Sequence, residues 1–175
     1  MKKKHRKGII FLVPLIILFI TILVFIPFKQ VLVFEYENTK EVLAYIPLKK
    51  EQAFKIKYTH SIHLSDVLES YKIIKNGNIQ QYELMFEDFA IGMPSNASEG
   101  ETFEEIDGKY YIRNMKQTFP YIDLRTGQVR ANHRVIFQSN EYSLSDYIEP
   151  GTWVRIKMRK LSVIQQLKGV NIIES

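Results

Sequence analysis

From Phe54 to Leu64 apolar and polar side chains alternate. Phe54, Ile56, Tyr58, His60, Ile62 and Leu64 share one face, and Lys55, Lys57, Thr59, Ser61 and His63 share the other. A period of two marks a half-buried strand. Val67, Glu69, Tyr71 and Ile73 alternate in the same way. A turn through His63-Leu64-Ser65-Asp66 matches the two apolar faces. It sets Ile62 against Val67, His60 against Glu69, Tyr58 against Tyr71 and Ile56 against Ile73. Directly opposed side chains lie ~5 Å apart at Cβ. The hairpin therefore aims an imidazole and a carboxylate at each other within an apolar row.

A second turn supports that face. Asn76-Gly77 is a strong short hairpin signal. A two-residue turn there sets Tyr71 against Tyr82, Glu69 against Leu84 and Val67 against Phe86. Two turns that agree on one inner face predict a three-stranded meander.

Short β-branched and aromatic runs precede it at Val31 to Tyr36 and Val42 to Ile46. Asp88 to Gly108, with Gly92, Pro94, Ser95, Asn96 and Gly100, reads as a long loop. Further strands are expected at Lys109 to Arg113, at Ala131 to Phe137 and at Thr152 to Met158. His133 falls on the apolar face of the second of these. Asn140 to Glu149 reads as a polar connection. Ser162 to Ile173 suits either a short helix or, at its end, an edge strand. About eight short strands with regular turns predict an all-β fold, an antiparallel sandwich or a small barrel.

The start of the chain differs. Gly8 to Phe28 is almost wholly apolar, with Pro14 inside it and no charge until Lys29. About 20 apolar residues cross a bilayer as a helix, and such helices tolerate proline. The run is long for a signal peptide, and Phe25-Ile26-Pro27-Phe28 has no small-residue cleavage pattern. The expectation is a basic cytoplasmic tail over 1–8, an uncleaved transmembrane signal-anchor over 9–28 and an extracytoplasmic β-domain over 29–175. The basic cluster before the run sets the N-terminus in the cytoplasm.

Charge changes the picture in one respect. Lys2, Lys3, Lys4, Arg6 and Lys7 are five of 24 basic residues, leaving 19 against 19 acidic ones. The predicted β-domain is formally neutral, which argues against nucleic acid as a partner. The absence of cysteine excludes disulfides, thiol catalysis and thiolate-bound zinc.

Candidate chemistry centres on His60, Glu69 and His133, with Tyr58 and Tyr71 beside them. Three readings stand open. The first is a buried polar network that fixes the core. The second is a pocket for a small, carboxylated solute, with protonated His60 meeting the anion and Glu69 raising its proton affinity. The third is a zinc site of two His and one Glu, and zinc is the one cofactor in play. His60 and His63 fall on opposite faces of a continuous strand, so only a bend after His60 brings them together. Ser61 beside His60 lacks any nucleophile-elbow motif. Arg155, Lys157 and Arg159 are expected as a solvated strand face. With Trp153, they suit acidic headgroups or a partner as the alternative.

Tyr58-Thr59-His60-Ser61, Glu69-Ser70-Tyr71, the loop Ala90-Ile91-Gly92-Met93-Pro94 and the late His133 together resemble the bacterial "domain of unknown function 1850" family. Order and spacing agree from about Phe54 to Met158. Ala90 and Ile91 depart from the family's glycine and alanine, and His63 is additional. Members are small exported or anchored proteins, often encoded beside TRAP-type transporters of the TAXI kind. The resemblance implies a non-enzymatic accessory to solute uptake, with a multi-spanning permease as partner. It implies a role for Gly92 and Pro94 in the loop, and it assigns no catalytic residue.

Overall fold

The computed structural model describes residues 3–48, 53–60, 62–88, 93–127 and 131–175, with side chains from residue 12 onward. Helix α1 (Lys3–Phe25) leads into β1 (Lys29–Tyr36) and β2 (Val42–Pro47). Then follow β3 (Ala53–Thr59), β4 (Asp66–Ile73), β5 (Ile79–Phe86), β6 (Thr102–Ile106) and β7 (Lys109–Arg113). The chain continues through β8 (Thr118–Phe119), β9 (Ile122–Arg125), β10 (Arg134–Phe137) and β11 (Asn140–Ser143). It ends with β12 (Trp153–Leu161), α2 (Val163–Lys168) and β13 (Val170–Asn171).

The strands form two sheets. The smaller runs β13-β2-β1-β12-β9, and the larger runs β11-β10-β3-β4-β5-β7-β6, with β8 also on β5. Their inner faces share one core. Leu32, Phe34, Ala44, Ile46, Val154 and Ile156 come from the smaller sheet, and Phe54, Ile56, Tyr71, Ile79, Val135 and Phe137 from the larger. The fold is therefore an all-β sandwich. Beyond the reach of the smaller sheet, Val67, Leu84, Phe86 and Ile112 are covered by Met93 and Ala97 of the long loop.

β1 is buried on both faces, because Val31 and Val33 pack with Val42, Tyr45 and Leu161 on the outer side. Its outward Glu35 is fully buried and ion-paired with Lys157, at 2.7 Å, and with Arg159. Arg155 grips Asp123 through two bonds of 2.8 Å, with its guanidinium 3.6 Å from the Tyr121 ring centroid. The expected solvated stripe of Arg155, Lys157 and Arg159 is instead a set of cross-strand ion pairs, and its charges are already engaged.

Several expectations need correction. β3 and β4 pair Tyr58 with Val67, Ile56 with Glu69 and Phe54 with Tyr71. The link is a loop from His60 to Ser65, closed by the His60 N–H donating to the Ser65 carbonyl at 2.8 Å. His60 thus lies beyond the strand and does not oppose Glu69, while Ile62 and Leu64 are exposed. In the next hairpin the Val67–Phe86 and Glu69–Leu84 pairs form as expected. A bulge after Ser70 then sets Tyr71 against Gln81. Gln81 takes the inward place that the sequence assigned to Tyr82, which lies instead beside Lys72.

The turn itself spans three residues, closed by the Ile74 N–H on the Asn78 carbonyl at 2.9 Å. Gly77 sits in the left-handed region at φ 85. A Cβ there would lie 2.7 Å from Met158 Cε. Gly77→Ala is expected to cost about 1–2 kcal/mol, combining the left-handed penalty with the displaced methionine. Thermal unfolding measures it, and an unchanged midpoint would remove the turn from the list of fold determinants.

Short elements escaped periodicity. β6 lies inside the expected loop. Where a polar connection was expected, β11 follows a tight turn, with Gln138 and Ser139 both left-handed. Both readings of the C-terminus occur in series, α2 and then β13. Ser162 and Gln165 form a reciprocal cap at the start of α2. Among the described residues no helix is long and apolar enough to cross a membrane. Most large apolar side chains of α1 from Leu12 to Phe25 are nonetheless exposed.

Candidate functional site

A cleft of about 460 Å³ opens between the two sheets. β3 supplies Ile56 and Tyr58, and β4 supplies Glu69 and Tyr71, two residues apart on one face. The bulge of β5 turns in Gln81. Phe119, Tyr121, Ile122, Asp123 and Leu124 come from β8, β9 and their link, and His133 from just before β10. Four of the five residues proposed from sequence as ligand-binding, Tyr58, Glu69, Tyr71 and His133, thus converge. The fifth, His60, is not part of the lining.

Backbone bonds hold His133 in place. The Thr59 N–H donates to the Ala131 carbonyl and the Leu144 N–H to the His133 carbonyl, each at 2.9 Å. The Gly127 N–H donates to His133 Nδ1 at 3.0 Å. Nδ1 is therefore an acceptor, and the neutral ring carries its proton on Nε2. Burial lowers the imidazole's proton affinity, which favours the same neutral form. The Tyr58 ring lies 5.4 Å from it, tilted by 31°.

The Tyr71 hydroxyl donates to Glu69 Oε2 at 2.7 Å. Burial raises the Glu69 pKa, and this hydrogen bond offsets only part of the rise. Burial and the adjacent Glu69 carboxylate push both Tyr58 and Tyr71 upward, so both stay protonated. The cleft thus combines phenols, a neutral imidazole, an amide and two carboxyls, Glu69 and the Asp123 that Arg155 holds.

A raised carboxyl pKa carries a sign. Stability from the protonated form is full below the unfolded value of Glu69 and is lost as pH rises through the folded one. Glu69→Gln mimics the protonated form. It is expected to raise the unfolding midpoint at pH 8 and to leave it almost unchanged at pH 4. A midpoint that falls at pH 8 would show that ionised Glu69 stabilises the fold.

His60 occupies the loop, where its Nδ1 accepts from the Ile62 N–H at 3.4 Å. The chain does bend after it, bringing the His60 and His63 rings to 5.8 Å. Among the described residues no three metal-ligating side chains converge. The zinc trio of His60, Glu69 and His133 is not assembled, because His60 has left the shared face. Gly92 falls outside the described residues. Pro94 lies in the long loop, whose described residues Met93 and Ala97 pack against Val67 and Phe86 and are not among the lining of the cleft.

Sequence reading missed Gln81, Phe119 and Tyr121. A bulge leaves no periodic trace, and a two-residue strand is too short to show one. A second groove of about 510 Å³ crosses the outer face beside Lys72, Tyr82 and Arg113. Its arginine is committed to Glu83 and Glu104, so the inter-sheet cleft remains the better candidate.

Residues 54–144 match the family described as "Domain of unknown function (DUF1850)". No curated protein and no solved structure matches the chain. The matched stretch runs from β3 through β11 and contains every described residue that lines the cleft.

Proposed function

We propose, from the premise that this chain belongs to the domain of unknown function 1850 family, that it is a membrane-anchored solute-binding accessory to a transporter. In this reading α1 holds the sandwich on the outer side of the cytoplasmic membrane, and the inter-sheet cleft takes up a small solute. A multi-spanning permease of the TRAP kind, suggested by the family resemblance, receives it. The cleft is the observation that carries the proposal, since hydrogen-bonding groups converge in a half-buried space of ligand size. The basic N-terminal cluster and the exposed apolar surface of α1 support the anchor.

The test is a mild-detergent pull-down of the tagged full-length protein from its native membrane, read by mass spectrometry. Recovery of a permease near one-to-one is the expected result. Recovery of no stable membrane partner would overturn the accessory role.

A second reading, an acid–base enzyme of the cell envelope, keeps one specific support. Glu69 and His133 share a cleft, and burial moves their proton affinities in opposite directions. Chemical conversion of a bound solute, lost in Glu69→Gln and in His133→Gln, would favour it.

A further inference from the structure

We infer that the cleft selects a small organic cation, held by the Glu69 carboxylate against the rings of Tyr58, Tyr71 and Tyr121. This inference rests on the reading of the cleft as a solute site.

The case starts from two carboxylates with different company, Glu35 fully buried and Glu69 half-buried. Glu35 is fully enclosed, and Lys157 and Arg159 both reach it. Glu69 sits in the cleft with the Tyr71 hydroxyl on one oxygen, and among the described residues no cation pairs with it. The more a carboxylate is withdrawn from water, the more it calls for a compensating charge. At Glu35 the fold supplies that charge, and at Glu69 the open cleft leaves room for a ligand to supply it.

The rest of the lining points the same way. It contains no lysine or arginine among the described residues. His133 is neutral, with Nδ1 occupied by the Gly127 N–H. Asp123 is already neutralised by Arg155, so among the described lining residues Glu69 is the one carboxylate without a cation. Aromatic faces attract cations most strongly where water is excluded. Here Tyr58 and Tyr71 flank the carboxylate, and Tyr121 already carries a guanidinium on one face, 3.6 Å from its centroid. An anion entering this space would meet Glu69 with nothing to balance it. The carboxylated solute expected from sequence needed a protonated His60 in the cleft, and His60 is not there.

The experiment uses full-length protein in nanodiscs of neutral lipid. Isothermal titration compares choline and putrescine with 3,3-dimethylbutan-1-ol, the neutral isostere of choline, and with succinate. At least one cation is expected to bind ~10-fold or more tighter than the neutral alcohol, a difference of about 1.4 kcal/mol. In Glu69→Gln that preference is expected to shrink to within ~2-fold. Circular dichroism confirms that the variant is folded. Tighter binding of the alcohol or of succinate would overturn the cation class and leave the cleft as a solute site. A cation preference unchanged in Glu69→Gln would place cation binding elsewhere and overturn the inference. Binding of none of the four probes would overturn both the inference and the solute-site reading.

Discussion

Lys157→Met combined with Arg159→Met is expected to destabilise the protein by about 3–5 kcal/mol. The loss arises at Glu35, which no solvent reaches and whose two cations come from the neighbouring strand β12. One carboxylate oxygen meets Lys157 at 2.7 Å and the other meets Arg159. Without them the charge stays enclosed beside the apolar cluster of Val31, Val33 and Tyr45. The cations are themselves partly wetted, with side-chain exposures of 24% and 18%, which sets the expected loss toward the lower end. The triple variant with Glu35→Met added is expected to recover most of it, because an apolar trio carries no desolvation penalty. Urea unfolding of the full-length protein in detergent distinguishes the outcomes. A double variant that loses less than about 1 kcal/mol would behave like a surface pair and contradict the enclosed-charge account.

Phe34→Ala is expected to cost about 3–5 kcal/mol by the same measurement. Phe34 is on the inward face of β1, opposite Ala44 on β2 and Ile156 on β12. It is fully buried in the core that joins both sheets. Removing the ring leaves a void that the flanking strands, held in register on both sides, cannot close. Leu167→Ala is the matched control. That side chain is 77% exposed on α2, and its loss is expected to fall within about 0.5 kcal/mol. Equal effects at the two positions would mean that the inter-sheet core does not dominate stability.

Face assignment was legible in the sequence, and register was legible only in part. Tyr58, Glu69 and Tyr71 share a face in the expected β3–β4 register and in the observed one, because the two differ by an even step. Hydrophobic alternation constrains the parity of a strand pair and not its position. Alternation also continues through Ile62 and Leu64, past the true end of β3 at Thr59, and that drew His60 into the expected site. His133 was placed on its apolar face by Val135 and Phe137, which are both buried. Its approach to Tyr58 depends on β10 pairing with β3 across a long stretch of chain, which no local pattern encodes. The turn at Gln138 and Ser139 lacks glycine or asparagine, so β11 gave no signal. The bulge after Ser70 likewise hid Gln81.

The join between α1 and β1 sets the reach of the sandwich. Only Ile26, Pro27 and Phe28 separate the two elements, a leash of at most ~10 Å when fully extended. Even that is shortened, because the Phe28 N–H is tied to the Leu161 carbonyl at 3.1 Å. With α1 in a bilayer, the sandwich cannot sweep the space above the membrane. Under the proposed anchor it would travel by lateral diffusion, with the cleft held at nearly constant height. A permease served as proposed would have to present its docking surface at that height, and encounter would become a search in two dimensions at high effective concentration.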